Sequence, residues 1–291
     1  MKKTIFTICS IWLILVFSTL NVIITVKGDN ASVTYLPNPP PVLEDFDDVK
    51  EVLDAINYYI DTYGDFDYSP NEQESDVTRT AVGNLAYYVE TNYDYGTVFY
   101  KGHSSHYTCD NGNGNVHGFL MDYTGNESGN IQDAYIWTKT INNKHDFIFI
   151  WSCGQASIDM YDQFPGGYCS ECSAGRGMNY AWEKITGMSD DGYDDPDTGN
   201  NVFLGYNWSS PNFDQETDHY SFNYGDFAEY FYKYLLQYDK TVIQALDSAS
   251  WDTIGDWYFA DTDLRQGMEG LNNQITALKV FGNGNNGLPT S

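Results

Sequence analysis

The sequence predicts an α/β fold: a three-layer sandwich in which helices flank a mostly parallel central sheet. Three observations carry this. Residues 147–151, Phe-Ile-Phe-Ile-Trp, form a continuous apolar run bounded by polar positions, as in a strand buried on both faces. Residues 96–102, Gly-Thr-Val-Phe-Tyr-Lys-Gly, have the same form. Between them lies a segment with helical character, which gives the strand–helix–strand order of a parallel unit.

In chain order, residues 32–36 form a short β-like run, broken by the Asn-Pro-Pro-Pro that follows. Residues 42–63 read as a helix with Val49, Val52, Leu53, Ile56 and Ile60 on one face. A polar loop over 64–75 leads to a second helix over 76–91, with Val77, Ala81, Leu85 and Val89 at four-residue spacing. The 96–102 strand follows, and then a Ser/His/Asn/Gly-rich stretch over 104–116 reads as a loop. A short strand over 118–123, a helix over 131–141 and the 147–151 strand come next. The chain is irregular from Cys153 to about Arg176, and a loop of that length beside a site is expected to be functional. A helix over 178–186, a strand over 201–207, helices over 224–238 and 241–250, and a strand over 275–281 complete the pattern. No internal repeat is present.

The composition bounds the function. The 291 residues carry a formal net charge of −27, from 41 acidic and 14 basic side chains. Such a surface repels phosphates, so nucleic acid is excluded as a partner. The acidic residues are scattered, as on a solvated surface. Met-Lys-Lys followed by an apolar run over 4–26 reads as an export signal, with small residues suited to cleavage before Asp29. Left uncleaved, the run is long enough to anchor the chain in a membrane, and this is the only membrane contact expected. The expected organisation is a signal or anchor over 1–28 and one α/β domain over 29–291. Within it, 29–94 forms an N-terminal helical part and 95–285 the core. The expected location is secreted or extracytoplasmic. Asn30, Asn126 and Asn207 each begin an Asn-X-Ser triplet that could accept a glycan there.

Cysteine usage follows from export. Cys9 lies in the signal, which leaves Cys109, Cys153, Cys169 and Cys172. Four cysteines in an oxidising compartment can form two disulfides. A free Cys153 leaves three, so that Cys109 could pair with Cys169 or Cys172. Cys169-Ser-Glu-Cys172 lacks a second Cys-X-X-Cys for a zinc site, and no metal ligand set is assigned. The acidic turn over 190–201 could hold a structural Ca²⁺ through oxygen ligands, although it lacks the EF-hand spacing and reads more simply as a solvated loop. No cofactor is required.

The candidate site is His103 with Cys153. Each follows an apolar strand, and in parallel sheets the chemistry gathers beyond the carboxyl ends of strands. A thiolate is a strong nucleophile, and an imidazole beside it lowers the thiol pKa and shuttles the proton. His106 lies in the same loop as His103, whereas His117 and His145 stand at the leading ends of strands and His219 in a polar stretch. The bland alternative for Cys153 is a buried structural cysteine.

A strand ending in Gly102-His103, then, fifty residues later, a strand ending in Ser152-Cys153-Gly154, resembles the caspase–hemoglobinase superfamily of cysteine peptidases. The pattern is closest to the gingipain, clostripain and legumain-like members. Gly118-Phe-Leu-Met-Asp-Tyr is similar to the short strand after the histidine, and Ile131-Gln-Asp-Ala-Tyr-Ile to the start of the helix before the cysteine strand. Val202-Phe-Leu-Gly-Tyr-Asn-Trp and Leu278-Lys-Val-Phe-Gly resemble later strands, so the likeness spans 95–285. It implies an endopeptidase acting on peptide or protein substrates with His103 and Cys153 as a dyad. Backbone amides at Ser104 and Gly154 would stabilise the oxyanion. The family commonly has Gly after the histidine, and Ser104 departs from that. Asp159, Asp162 and Glu171 are the candidate pocket acids for a basic substrate side chain. Two alternatives share the fold: a non-catalytic extracellular binding protein, and an amidase or transpeptidase using the same dyad. A disulfide at Cys153 would favour the binding protein.

Overall fold

The computed structural model describes residues 29–37, 45–108, 116–156, 177–183, 200–217, 219, 221–257, 268–269 and 275–291. The expected export signal lies outside them. So do Cys9, Cys109, Cys169, Cys172, Asp159, Asp162, Glu171 and the acidic turn up to residue 199. Among the described residues no helix is long and apolar enough to cross a membrane.

The core is a six-stranded sheet. Its strands are β1 (Asn30–Leu36), β2 (Asn71–Gln73), β3 (Tyr95–Lys101), β7 (His145–Trp151), β8 (Val202–Tyr206) and β11 (Leu278–Gly282), ordered β11-β8-β7-β3-β1-β2. All neighbours pair in parallel except β11, which runs antiparallel to β8. β1 therefore lies inside the sheet, between β2 and β3. Burial on both faces suits the apolar runs of β3, β7 and β8, whereas β1 buries Ser32 and Thr34 as well as its apolar residues.

Alternate residues of these strands feed two separate cores. Phe99, Phe147, Phe149, Trp151, Leu204 and Tyr206 face one way, onto α1 (Phe46–Tyr63), α5 (Tyr224–Tyr232) and α6 (Val242–Ile254). Val98, Tyr100, Ile148, Ile150 and Phe203 face the other way, onto α2 (Arg79–Asn92), α3 (Asp133–Trp137) and α4 (Met178–Glu183). Side chains on a strand alternate between faces, so two cores on one sheet give the three layers expected.

The helices begin where short polar side chains satisfy free amides. Asp45 accepts from the Asp47 amide at the start of α1, and Thr78 from the Ala81 amide at the start of α2. Asn223 with Asp226, and Thr241 with Gln244, form reciprocal capping boxes on α5 and α6. Val49, Leu53, Ile56 and Ile60 recur at intervals of four, three and four and bury one stripe of α1. Each such aliphatic side chain contributes roughly 1.5–3 kcal/mol by burial. α5 continues through a π-helical turn over Lys233–Gln237, and α6 stops at Gly255 in the left-handed conformation.

Several segments differ from the sequence expectation, among them β2, which lies within the loop expected over 64–75, and β5, which starts and ends earlier than the strand expected over 118–123. Residues 104–116 do not form one loop: β4 (Ser104–Thr108) pairs antiparallel with β5 (Val116–Leu120), which pairs with β6 (Ile131–Gln132). The satellite sheet gives Leu120 and Ile131 to the second core, but the polar composition over 104–116 carries no strand signal. The helix expected over 131–141 is the strand β6 followed by the five-residue α3. Asn143, with φ of 53°, marks the turn into β7. The second helix starts later than expected, at Arg79, because Glu74–Asp76 forms a separate 3₁₀ turn.

Candidate active site

The register of β3 against β7 sets the site. Lys101 pairs with Trp151, the last residue of each strand. His103 and Cys153 each stand two residues beyond that pair. Adjacent strands lie about 4.8 Å apart, so the two segments leave the sheet side by side at its carboxyl edge. The Gly102 amide still donates to the Trp151 carbonyl at 3.3 Å, which extends the pairing past the strand ends.

After Gly102 the chain turns into β4, and its carbonyls are held. The His103 carbonyl accepts from the Met121 amide at 2.9 Å and from the Tyr100 hydroxyl at 3.1 Å. Tyr100 is buried, and its hydroxyl also reaches the Met121 carbonyl at 2.7 Å. One residue on, the Ser104 hydroxyl donates to the carbonyl of Cys153. The Gln155 side-chain amide donates to the same carbonyl at 3.1 Å. The histidine and cysteine loops are thus in direct contact.

Cys153 is half-buried and carries a free thiol. Its Sγ lies 3.9 Å from the Ser210 hydroxyl. Ser210 belongs to the segment after β8, which is tied down around the cysteine turn. Trp208 accepts the Gly154 amide at 2.8 Å, and Tyr206 accepts the Ala156 amide at 3.0 Å. The Trp151 indole N–H donates to the Pro211 carbonyl at 2.8 Å. Trp151 also meets Phe213 edge-to-face, with ring centroids 4.9 Å apart. Gly154 has φ of 68°, a left-handed conformation that glycine adopts without strain.

This geometry corrects one expectation. The Gly154 amide cannot serve as an oxyanion donor while it is bonded to Trp208. The expected Ser104 amide and the Cys153 amide are not held in this way. The Cys153 amide makes no hydrogen bond among the described residues. The Met121-to-His103 bond marks that residue pair as hydrogen-bonded, so in the alternating ladder the Ser104 amide turns away from β5.

The other histidines are placed elsewhere. The backbones of His106 and His117 lie within β4 and β5. His145 opens β7 at the opposite edge of the sheet, fully buried, with Nδ1 2.8 Å from Glu90 Oε1. His219 packs on Phe222. Among the described residues no group of three or more His, Cys, Asp or Glu could hold a metal ion. Asp159, Asp162 and Glu171 fall outside the described residues, as do the other cysteines.

The sequence alone does not single out Ser210, Trp208 or Gln155. A signal for Ser210 existed: Asn-Trp-Ser-Ser-Pro directly follows an apolar strand, and strand ends in parallel sheets carry sites.

No protein-family model matches the chain, and none of the curated proteins does. Among solved structures it is similar to the crystal structure of the Drosophila initiator caspase Dronc, at 8% identity and a TM-score of 0.44, covering 89% of this chain and 82% of that one. At that identity and score no residue role transfers, and the site rests on its own geometry.

Proposed function

We propose that the chain is a cysteine peptidase that cleaves peptide or protein substrates with Cys153 as nucleophile and His103 as general acid and base. One observation carries this reading: the β3–β7 register sets a free thiol and an imidazole-bearing residue at equivalent positions past two adjacent parallel strands.

The chemistry balances with these two residues and water. His103 takes the thiol proton, and the thiolate attacks the carbonyl carbon to form a C–S bond. The Ser104 and Cys153 amides stabilise the resulting oxyanion. The imidazolium then protonates the leaving amine as the C–N bond breaks, which leaves a thioester on Cys153. Water, deprotonated by His103, attacks the thioester, releases the carboxylic acid product and restores the thiol. The free thiol at Cys153 withholds the support that a disulfide there would give the alternative of a non-catalytic binding protein. Export through residues 1–28 belongs to the same proposal and rests on Lys2, Lys3 and the apolar run over 4–26.

The test is digestion of a mixed peptide library by the purified chain, with products read by mass spectrometry. Cleavage abolished by both Cys153→Ala and His103→Ala is the expected result. Cleavage that persists in Cys153→Ala, or no cleavage by the unmodified chain, overturns the reading.

A further inference from the structure

We infer that Ser104 and Gln155 are positioning residues that clamp the Cys153 carbonyl and so fix the orientation of the nucleophile's peptide unit.

The clamp has two arms from different parts of the fold. Ser104 is the first residue of β4 and reaches Cys153 across the gap between the two strand-end loops. Gln155 is buried, and its side chain turns back onto the carbonyl two residues earlier, at 3.1 Å. The satellite sheet supports this second arm. A methyl group at Gly118 in β5 would stand 2.7 Å from Gln155 Oε1, so the missing side chain there is what makes room for the amide. Two donors on one carbonyl satisfy both of its lone pairs and set the plane of the Cys153–Gly154 peptide.

That plane has consequences at both ends. The N–H of the same peptide unit belongs to Gly154 and points to the Trp208 carbonyl at 2.8 Å, opposite the clamped oxygen. The peptide is therefore gripped by three elements: β4, the cysteine turn, and the segment after β8. With the peptide fixed, the Cys153 side chain has its χ1 rotation left as its main freedom, and Sγ rests near Ser210. Holding a reacting group close to its productive geometry is worth orders of magnitude in rate. A glycine after His103 could not form the first arm. The serine hydroxyl thus gives this chain a direct bond between the histidine loop and the cysteine loop.

The inference rests on the peptidase reading for its catalytic meaning, but the clamp is measurable without it. The experiment compares the full chain with Ser104→Ala, Ser104→Thr and Gln155→Leu. Two readouts are taken: hydrogen exchange at the Gly154 amide by NMR, and the pH dependence of Cys153 alkylation by iodoacetamide. Loss of the Ser104 arm is expected to speed Gly154 exchange about tenfold or more without comparable acceleration in the β3 and β7 amides. It is also expected to lower the rate of Cys153 alkylation at every pH. Threonine restores both, since it keeps the hydroxyl. Gln155→Leu, which removes the other donor, speeds Gly154 exchange in the same way. Unchanged Gly154 exchange in Ser104→Ala overturns the clamp, whatever the thiol does. Faster exchange together with a Cys153 thiol that alkylates no faster than free cysteine in the unmodified chain keeps the clamp and overturns the peptidase reading instead.

Discussion

Gly154 donates its amide to the carbonyl of Trp208 at 2.8 Å, and this bond joins the cysteine turn to the segment that follows the next strand. The turn depends on a left-handed residue with φ of 68°. A Cβ added at Gly154 meets nothing within 4 Å, so Gly154→Ala meets backbone strain alone, about 1–2 kcal/mol. Gly282 offers the contrast. Its φ is 86°, and an added Cβ would stand 2.1 Å from the Asn201 carbonyl oxygen. There the backbone of β11 has to move, and the cost should reach about 3 kcal/mol or more. Chemical denaturation of the two variants should rank Gly282→Ala well below Gly154→Ala. Equal losses contradict this.

The interior at the other edge of the sheet gives a second prediction. The Glu90 carboxylate accepts from His145, from the Lys144 amide at 2.9 Å and from the Asn142 amide at 2.5 Å. Removing it leaves His145 and two amides without their acceptor, so Glu90→Ala should cost about 3–5 kcal/mol. Glu90→Gln keeps one acceptor oxygen and should cost less. Equal thermal midpoints for the unmodified chain and Glu90→Ala would show that this network does not hold the edge together.

The same region predicts how stability depends on pH. Burial works to raise the Glu90 carboxyl, but the bonds from His145, Lys144 and Asn142 outweigh it and hold the group below its ordinary value. That contribution is present above the unfolded carboxyl pKa and is lost as pH falls through the lower folded value. Asp146 runs the other way. Burial pushes it up to about 7, with Lys144 and the Gly96 amide opposing and the Glu90 charge assisting. Burial, aided by Asp146, likewise raises Glu183, against the Val202 amide. A raised carboxyl binds its proton more tightly when folded. Its contribution is therefore complete below the unfolded value and is lost as pH rises toward 7. Stability should peak near the unfolded carboxyl range, about pH 4–5, and decline toward neutrality. Asp146→Asn should flatten that decline. A decline of the same slope in Asp146→Asn would show that Asp146 does not cause it.

Trp151 connects the core to the site and supports a fourth prediction. It is fully buried, packs among Phe149, Tyr206 and Phe213, and bonds Pro211 through its indole N–H. Trp151→Phe loses that bond and leaves a cavity, which together should cost about 2–4 kcal/mol. The segment at 208–213 loses its anchor, so alkylation of Cys153 should change along with stability. A large loss of stability with an unchanged thiol rate would separate the two.

The sequence made some of this legible and hid the rest for physical reasons. The strands β3, β7 and β8 announce themselves because burial on both faces demands unbroken apolar runs. Val49, Leu53, Ile56 and Ile60 reveal α1 because a helix stripe has its own period. The candidates His103 and Cys153 follow from strand ends. Their juxtaposition does not, because register is a property of two strands and no single stretch encodes it. The clamp was equally hidden. Ser104 read only as a departure from a glycine, since a hydroxyl's partner fifty residues away leaves no local mark. From sequence Gly154 reads as an oxyanion donor, and only the long-range bond to Trp208 removes it from that role. β4 reads as a loop because its Ser-Ser-His-Tyr-Thr sequence has no run of apolar residues.

In the proposed peptidase, His103 activates the Cys153 thiol. The most direct measurement is the rate of Cys153 alkylation in the native, unreduced chain as a function of pH, with His103→Ala and Cys153→Ala in parallel. An activated thiol predicts labelling at Cys153 much faster than that of a free cysteine at the same pH, and a fall to the free-cysteine rate in His103→Ala. Labelling of Cys153 that follows a free thiol in both proteins, or appears only after denaturation, contradicts the account.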